Sequence, residues 1–289
     1  MTIQQLVKKS LVYVCESDLD GYGSIPVTEG LSLFTSHQQT DFVATIYHPV
    51  VCLILQGAKE TTIGEQVVQF GQGESLIVSH TVPVVSRITQ ASPKKPYLAL
   101  ILDIDLSLVR GLYHEVGTLS TSESTTSALN VQFSEPELID AVGRLFSLAQ
   151  DPIQRQVLGP LILKEIHFRL LMAPNGSMLR KLLNLDSHAS KIDKAITHLR
   201  EHFRQPLSMP DLASHLGMSE SSFYSSFKKV TNTTPLQYQK ELRLIEAQRL
   251  LRSEATSVSS AAFHVGYESP TQFSREYSRK FGISPSEEN

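Results

Sequence analysis

The sequence predicts a two-domain α+β protein: a β-barrel or sandwich followed by two helices, then an all-α domain in which a long helix joins two helix-turn-helix units. Three observations lead there. Residues 41–104 are a succession of short β-rich runs separated by glycine turns; beyond Ser190 every periodic segment has helical spacing; and residues 211–280 contain an internal repeat.

Length and composition fit this division. At 289 residues the chain suits two domains of roughly 150 residues each. With 41% hydrophobic and 19% charged residues it has the balance of a globular protein, which excludes disordered and fibrous classes. The opening "MTIQQLVKKSLVYVCESD" has only a short apolar run before Glu16 and Asp18, unlike a secretion signal. No run approaches the ~18 apolar residues of a membrane span. Two cysteines, Cys15 and Cys52, make no disulfide framework and fit a reducing compartment. A soluble, cytoplasmic protein without a membrane partner is expected. The formal charge of -3 divides unevenly. Residues 1–185 carry 13 Lys and Arg against 17 Asp and Glu; residues 186–289 carry 13 against 12. So small an excess of positive charge does not by itself indicate nucleic acid, for which a basic stripe is the usual footprint.

In the first half, "VVCLILQG", "ETTIGEQVVQFGQGESLIVS", "VPVVSRI" and "PYLALILDID" read as strands, with Gly57, Gly64, Gly71 and Gly73 at turns. "TIGEQVVQF" reads as strand, tight turn, strand, with Ile63, Val67 and Phe70 available to one core. The period then changes. "SEPELIDAVGRLFSLAQ" starts with Ser134 as N-cap and Pro136 in the first turn, and repeats Leu138, Val142, Leu145 and Leu148 at helical spacing. A second helix runs from about Pro152 and stops at "APNGS". The expected division is a sensor domain over 1–172, a linker over 173–190 and a helical domain over 191–289.

The repeat aligns "DLASHLGMSESSFYSSFKK" with "SAAFHVGYESPTQFSREYSRK". Leu212, Ala213, Leu216 and Gly217 match Ala261, Ala262, Val265 and Gly266; Ser219, Phe223 and Phe227 match Ser269, Phe273 and Tyr277. In each copy a small alanine lets two helices approach, a glycine takes positive φ to end the first, and a serine caps the second. Ser269-Pro270-Thr271-Gln272 adds an expected capping box, which accounts for Gln272 without a base contact. If the aromatic i, i+4 pairs are buried, Ser221, Tyr224, Ser225 and Lys228 form one exposed stripe and Thr271, Ser274, Arg275 and Ser278 another. Such side chains donate to phosphates and base edges. A single stripe of this kind equally describes a solvated helix face; its duplication across "TPLQYQKELRLIEAQRLL", a long joining helix, favours two readers in successive major grooves.

These residues are similar to the DNA-binding domain of the AraC/XylS family of bacterial transcription regulators. The resemblance rests on "LASHLGMSESSFYSSFKK", on Pro235, Tyr238, Arg243, Leu244, Ala247 and Leu250-Leu251, and on "AAFHVGYESPTQFSREYSRKFGISP" with Gly282 and Pro285; it covers about Ile192 to Pro285. "HPVVCLILQGAKETTIGEQVVQFGQGESLIVSHTVPV" and "ASPKKPYLALILDID" resemble an AraC-type N-terminal class, a cupin-like β-domain followed by helices. The resemblance implies a one-component sensor, commonly an activator. Its partners would be promoter DNA, a small-molecule effector, RNA polymerase and a second copy of the chain. Serines at 221 and 225 depart from the larger or basic residues frequent there in the family, which shifts expected readout toward Tyr224 and Lys228.

Other candidate sites are sparser. Tyr47, His48, Cys52, His80 and Arg87 lie on or beside predicted strands and are the candidate effector-binding residues. Cys52 in "VVCLILQG" is read first as a small buried hydrophobe, with a sensing thiol there or at Cys15 as the alternative. His198 and His202 are an i, i+4 pair without an evident third ligand, so no metal, cofactor or catalytic residue is expected. Two competing functions are a metal-dependent cupin enzyme fused to a DNA-binding domain, which needs a His and Glu cluster on the strands, and a protein-interaction module, which needs no salt-sensitive duplex binding.

Overall fold

Thr2 starts the first helix with a capping box, its hydroxyl accepting from the Gln5 amide while the Gln5 side chain returns to the Thr2 amide. The computed structural model describes residues 1–116, 127–184, 187–253 and 256–288. Helix α1 (Ile3–Cys15) leads into two antiparallel sheets. The first has the order β1 (Tyr22–Thr28), β2 (Leu31–Ser36), β9 (Tyr97–Asp103), β4 (Val50–Gln56), β7 (Glu74–Val78), β10 (Leu129–Phe133). The second has the order β3 (Val43–Tyr47), β8 (Val82–Gln90), β5 (Ala58–Ile63), β6 (Gln66–Gly71). The sheets pack face to face as a sandwich.

Strand alternation on β4 explains the apolar run "VVCLIL". Val51, Leu53 and Leu55 point to a core shared with α1, α2 (Leu106–Val116), α3 (Pro136–Ser147) and α4 (Pro152–Met172). Cys52 and Ile54 point the other way, toward Ile63, Phe70, Val82 and Val84 of the second sheet. A strand buried on both faces has no polar alternation to display.

Several expectations change. Val67 is 58% exposed, whereas Ile63 and Phe70 are buried, because Val67 pairs with Thr62 and shares its outward phase. Ser134 does not cap α3; Glu135 holds the N-cap position without a side-chain bond, and the Ser134 amide instead joins Gly73 in the strand layer. The expected linker 173–190 contains a short 3₁₀ turn (Pro174–Gly176) and a packed helix α5 (Ser177–Leu183), with α6 (His188–His202) starting inside it. Pro174 and Gly176 do end α4, but "MLRKLL" then buries Met178, Leu179, Leu182 and Leu183. Arg180 Nη1 caps the open end of α4 by donating to the Leu171 and Ala173 carbonyls.

The remaining helices are α7 (Met209–His215), α8 (Glu220–Thr231), α9 (Pro235–Ser253), α10 (Val258–His264) and α11 (Pro270–Phe281). Gly217 at φ 61° and Gly266 at φ 89° follow α7 and α10, as the repeat requires. Along α9, Tyr238 and Leu242 join the core that runs into the sandwich, while Leu244, Ala247 and Leu251 pack with Phe273 and Tyr277. The turn between β5 and β6 meets the end of α8: Gly64 has φ 55°, and a Cβ there would run into the Asn232 carbonyl. Gly64→Ala should lower stability by about 2–4 kcal/mol, combining left-handed strain with overpacking. Gly30→Ala, at φ 72° with open space around it, should lose only about 1 kcal/mol. Urea unfolding of the two variants checks the difference.

Candidate functional site

The second helix of each repeat unit, α8 and α11, begins on a serine. Ser219 accepts from the Ser222 amide and Ser269 from the Gln272 amide, both at 3.3 Å. The reciprocal half of the expected capping box is absent, since Gln272 Nε2 turns to Glu276 at 3.2 Å. Asn232 and Gly282 end the helices in left-handed conformations at φ 54° and 77°. Phe223, Phe227, Phe273 and Tyr277 are all 0% exposed, which fixes the rotation of both helices about their axes.

The opposite stripes therefore face outward. Ser221, Ser225, Lys228, Thr271 and Arg275 are exposed; Tyr224 and Ser274 are half-buried, Ser274 donating back to the Pro270 carbonyl at 2.9 Å. Charges on the supporting helix are arranged differently. Lys240 pairs with Glu276, Lys280 with Glu241, Arg249 with Glu246 and Arg252 with Glu288. Lys228 and Arg275 make no ion pair among the described residues, so the stripes keep uncommitted cations. Lys228 also borders a groove formed with Gly64 and Glu65 of the sandwich and Lys280 of α11.

A polar seam joins the sandwich to this helical region. His80 is fully buried: its Nε2 donates to the Ala189 carbonyl at 3.1 Å, leaving Nδ1 to accept from Ser79 at 2.9 Å. Tyr238 donates its hydroxyl to the Thr81 carbonyl at 2.8 Å, and Asn232 donates to Gln66 at 2.5 Å. His48 Nδ1 and Arg200 Nη1 each lie 3.4 Å from Thr81 Oγ1.

Between the sheets lies a separate cavity of about 240 Å³, lined among others by Tyr22, Phe34, Tyr47, Cys52, Lys59 and Tyr97. Thus the five residues expected to share a pocket divide. Tyr47 and Cys52 line the cavity, while His48 and His80 belong to the seam. Arg87 borders the cavity, yet strand pairing puts it opposite Glu60 on the outer phase, where its Nε donates to Glu60 at 3.1 Å and its guanidinium lies 4.5 Å from the Phe42 ring centroid. Lys59, absent from those candidates, pairs with Ile88 and shares the inward phase of buried Thr61 and Ile63. Burial pushes the Cys52 thiol up, an effect Lys59 only partly opposes, so the thiolate needed for sensing chemistry is disfavoured.

His198 and His202 stack with ring centroids 4.4 Å apart, and His202 bonds the His198 carbonyl. Among the described residues no three His, Cys, Asp or Glu side chains converge as a metal site. No described helix is long and apolar enough to cross a membrane.

Comparison with known proteins matches this architecture at both ends. The family described as "AraC-type transcriptional regulator N-terminus" matches residues 27–178, more than half of the chain, and a helix-turn-helix domain family matches residues 212–288. The chain belongs to the AraC family of transcription regulators. Within it, the chain is 32% identical over 123 residues to the transcriptional activator RhaS of Escherichia coli O157:H7, an alignment covering 42% of this chain and 44% of RhaS. The chain thus matches less than half the length of that AraC-family relative. ToxT of Vibrio cholerae, solved with an unsaturated fatty acid, shares the fold at a TM-score of 0.55 and 12% identity, covering 93% of this chain and 96% of ToxT. A second ToxT structure, bound to (E)-4-(8-methylnaphthalen-1-yl)but-3-enoic acid, gives 0.55 and 12% over 86% and 98% of the two chains.

Two buried histidines make this AraC-family fold sensitive to acid. Burial pulls the pKa of both His80 and His167 below the ordinary value. His167 is committed as a neutral ring, donating Nδ1 to the Leu163 carbonyl and accepting the Asp105 amide at Nε2. Below about pH 6.5 the unfolded chain binds protons that the folded one does not, so stability falls with falling pH. Each histidine should contribute about 1 kcal/mol of loss between pH 7.5 and 5.5. Urea titrations at the two pH values check this, and His80→Gln should remove roughly half of the drop.

Proposed function

We propose that this AraC-family chain is a ligand-responsive regulator that binds promoter DNA through two helix-turn-helix units and activates transcription. The observation that carries the reading is the duplicated outward stripe with uncommitted Lys228 and Arg275. Ser221, Tyr224, Ser225 and Lys228 of α8, and Thr271, Ser274 and Arg275 of α11, are the proposed DNA contacts. Helix α9 has 19 residues and at ~1.5 Å per residue spans ~28 Å, close to the ~34 Å repeat of the major groove.

In this reading residues 1–172 receive a small-molecule effector, 173–190 connect, and 191–289 bind DNA. The cavity between the sheets is the proposed effector site, with Tyr47 and Cys52 among its walls. Strand β5 offers the route to the reader: Lys59 sits in the cavity, and the turn after Ile63 abuts Asn232 at the end of α8. Activation, carried over from RhaS, implies contact with RNA polymerase. A cytoplasmic, non-enzymatic protein completes the reading.

A second copy of the chain is the proposed occupant of the outer face of α4. Ile153, Val157, Leu161, Phe168 and Met172 repeat at spacings of four and seven and are 76%, 62%, 64%, 39% and 45% exposed. Such a stripe is self-complementary about a two-fold axis, which supports a homodimer. Leu161→Lys should convert a dimer to a monomer in sedimentation at micromolar concentration; an unchanged mass rejects this interface.

The DNA reading is tested by binding at graded salt. Affinity should fall steeply and linearly in log-log form. Arg275→Ala should lose about 1–3 kcal/mol of discrimination between promoter and random duplex if Arg275 holds a base bidentately. Equal loss on both duplexes makes Arg275 a phosphate contact, and binding indifferent to salt contradicts the regulator reading.

A further inference from the structure

Lys59 occupies an inward position on β5, in register with Ile88 of β8 and in phase with Thr61 and Ile63, which are 0% and 1% exposed. Its ammonium lies 5.4 Å from the Tyr47 ring centroid, and among the described residues no carboxylate pairs with it. The nearby carboxylate of Glu60 is on the opposite strand phase, already bonded to Arg87 and Gln69. An ammonium turned into a protein interior calls for a counter-ion, and an aromatic face compensates it only in part. Burial works against the charged form of Lys59, but the Tyr47 side chain, a hydrogen-bond partner as well as an aromatic face, and the Cys52 sulfur once ionised outweigh it and hold the amine above its usual value.

A second polar side chain lines the same cavity. Tyr97 is 1% exposed, and its hydroxyl is sealed from solvent beside the Cys52 thiol, a weak acceptor. Buried hydroxyls are ordinarily bonded to oxygen or nitrogen, so one that meets only a thiol gains from a stronger acceptor in the cavity. The remaining walls are aromatic: Tyr22 meets Phe34 edge-on at 5.4 Å, and Phe34 meets Tyr97 at 6.2 Å. The volume of about 240 Å³ equals that of roughly eight waters at ~30 Å³ each, the scale of one aromatic ring bearing an acid group.

We propose that this cavity binds a small aromatic monocarboxylate, with Lys59 as its counter-ion, the Tyr97 hydroxyl as a second donor to the carboxylate, and Tyr22, Phe34 and Tyr47 around the ring. The proposal rests on the reading of the cavity as the effector site and names the class of effector. It also explains why a lysine stands in a sheet interior, where an aliphatic residue would pack without needing an anion.

The test uses the full chain with benzoate and phenylacetate as probes and benzamide and phenylacetamide as neutral controls. Calorimetry should detect the acids and not the amides. Lys59→Met should weaken acid binding at least about tenfold, the usual effect of losing a charge-assisted hydrogen bond. The same variant, unliganded, should melt no lower than the parent, because it removes a buried charge that lacks a carboxylate partner. Tyr97→Phe should likewise fold normally and bind the acids several-fold more weakly. Equal binding of acids and amides, unchanged acid affinity in Lys59→Met, a destabilised unliganded Lys59→Met, or no acid binding at all each overturn the proposal. Duplex binding is measured on the same samples: failure with the acids while salt-dependent DNA binding persists rejects only the ligand class, whereas loss of the latter rejects the regulator reading itself.

Discussion

Tyr238 belongs to two parts of the molecule at once. Its ring, fully buried, meets Phe227 of the first reading helix edge-on at 5.5 Å, while its hydroxyl donates to Thr81 at the sandwich rim. A phenol sealed this deeply needs its acceptor; leaving it unpaired costs about 1–3 kcal/mol. The hydroxyl consequently fixes where the sandwich rim lies relative to α8 and α9. Around it one apolar core continues from Cys52 and Ile54 of the sandwich through Ile192 and Leu199 to Phe223 and Phe227. The two halves of this AraC-family chain therefore do not behave as beads on a string.

That constraint arranges the other features. With Tyr238 anchored, the β5–β6 turn reaches the end of α8, where only a glycine at position 64 fits against Asn232. His80 closes the far side of the same seam on the α6 amino terminus. The outward stripes of α8 and α11 lie opposite the buried aromatics, and among the described residues Lys228 and Arg275 are spared the ion pairs that bind α9 to its neighbours. One strand, β5, carries Lys59 at the cavity and ends at the turn that touches the end of α8.

Local chemistry wrote the helical half plainly into the sequence. Paired aromatics at i, i+4, serine N-caps and glycines at positive φ are all settled within one repeat, and the structure keeps each of them. The sandwich was legible as β-structure but not in detail. β4 is covered on both faces, so its run shows no phase, whereas α1 is marked by Thr2 and Gln5, which spell out its capping box. Lys59 within "AKETTI" looks like one polar residue among several, and only pairing with β8 turns it inward. His80 reads from the sequence as a pocket residue because its partner, Ala189, lies 109 residues further on, beyond any periodic pattern. The expected capping box at Ser269 failed for a similar reason: Glu276, one helical turn on, competes for the Gln272 side chain.

Through the Tyr238 seam the sandwich and the helical half should open as one cooperative unit. Native-state hydrogen exchange measures this residue by residue. The amides of Leu53 to Leu55 in β4 and of Leu242 in α9 should open with the same free energy, and Tyr238→Phe should lower both together. If α9 opens at a markedly lower free energy than β4, or if Tyr238→Phe affects the helical half alone, the two domains are independent and the account of their coupling is wrong.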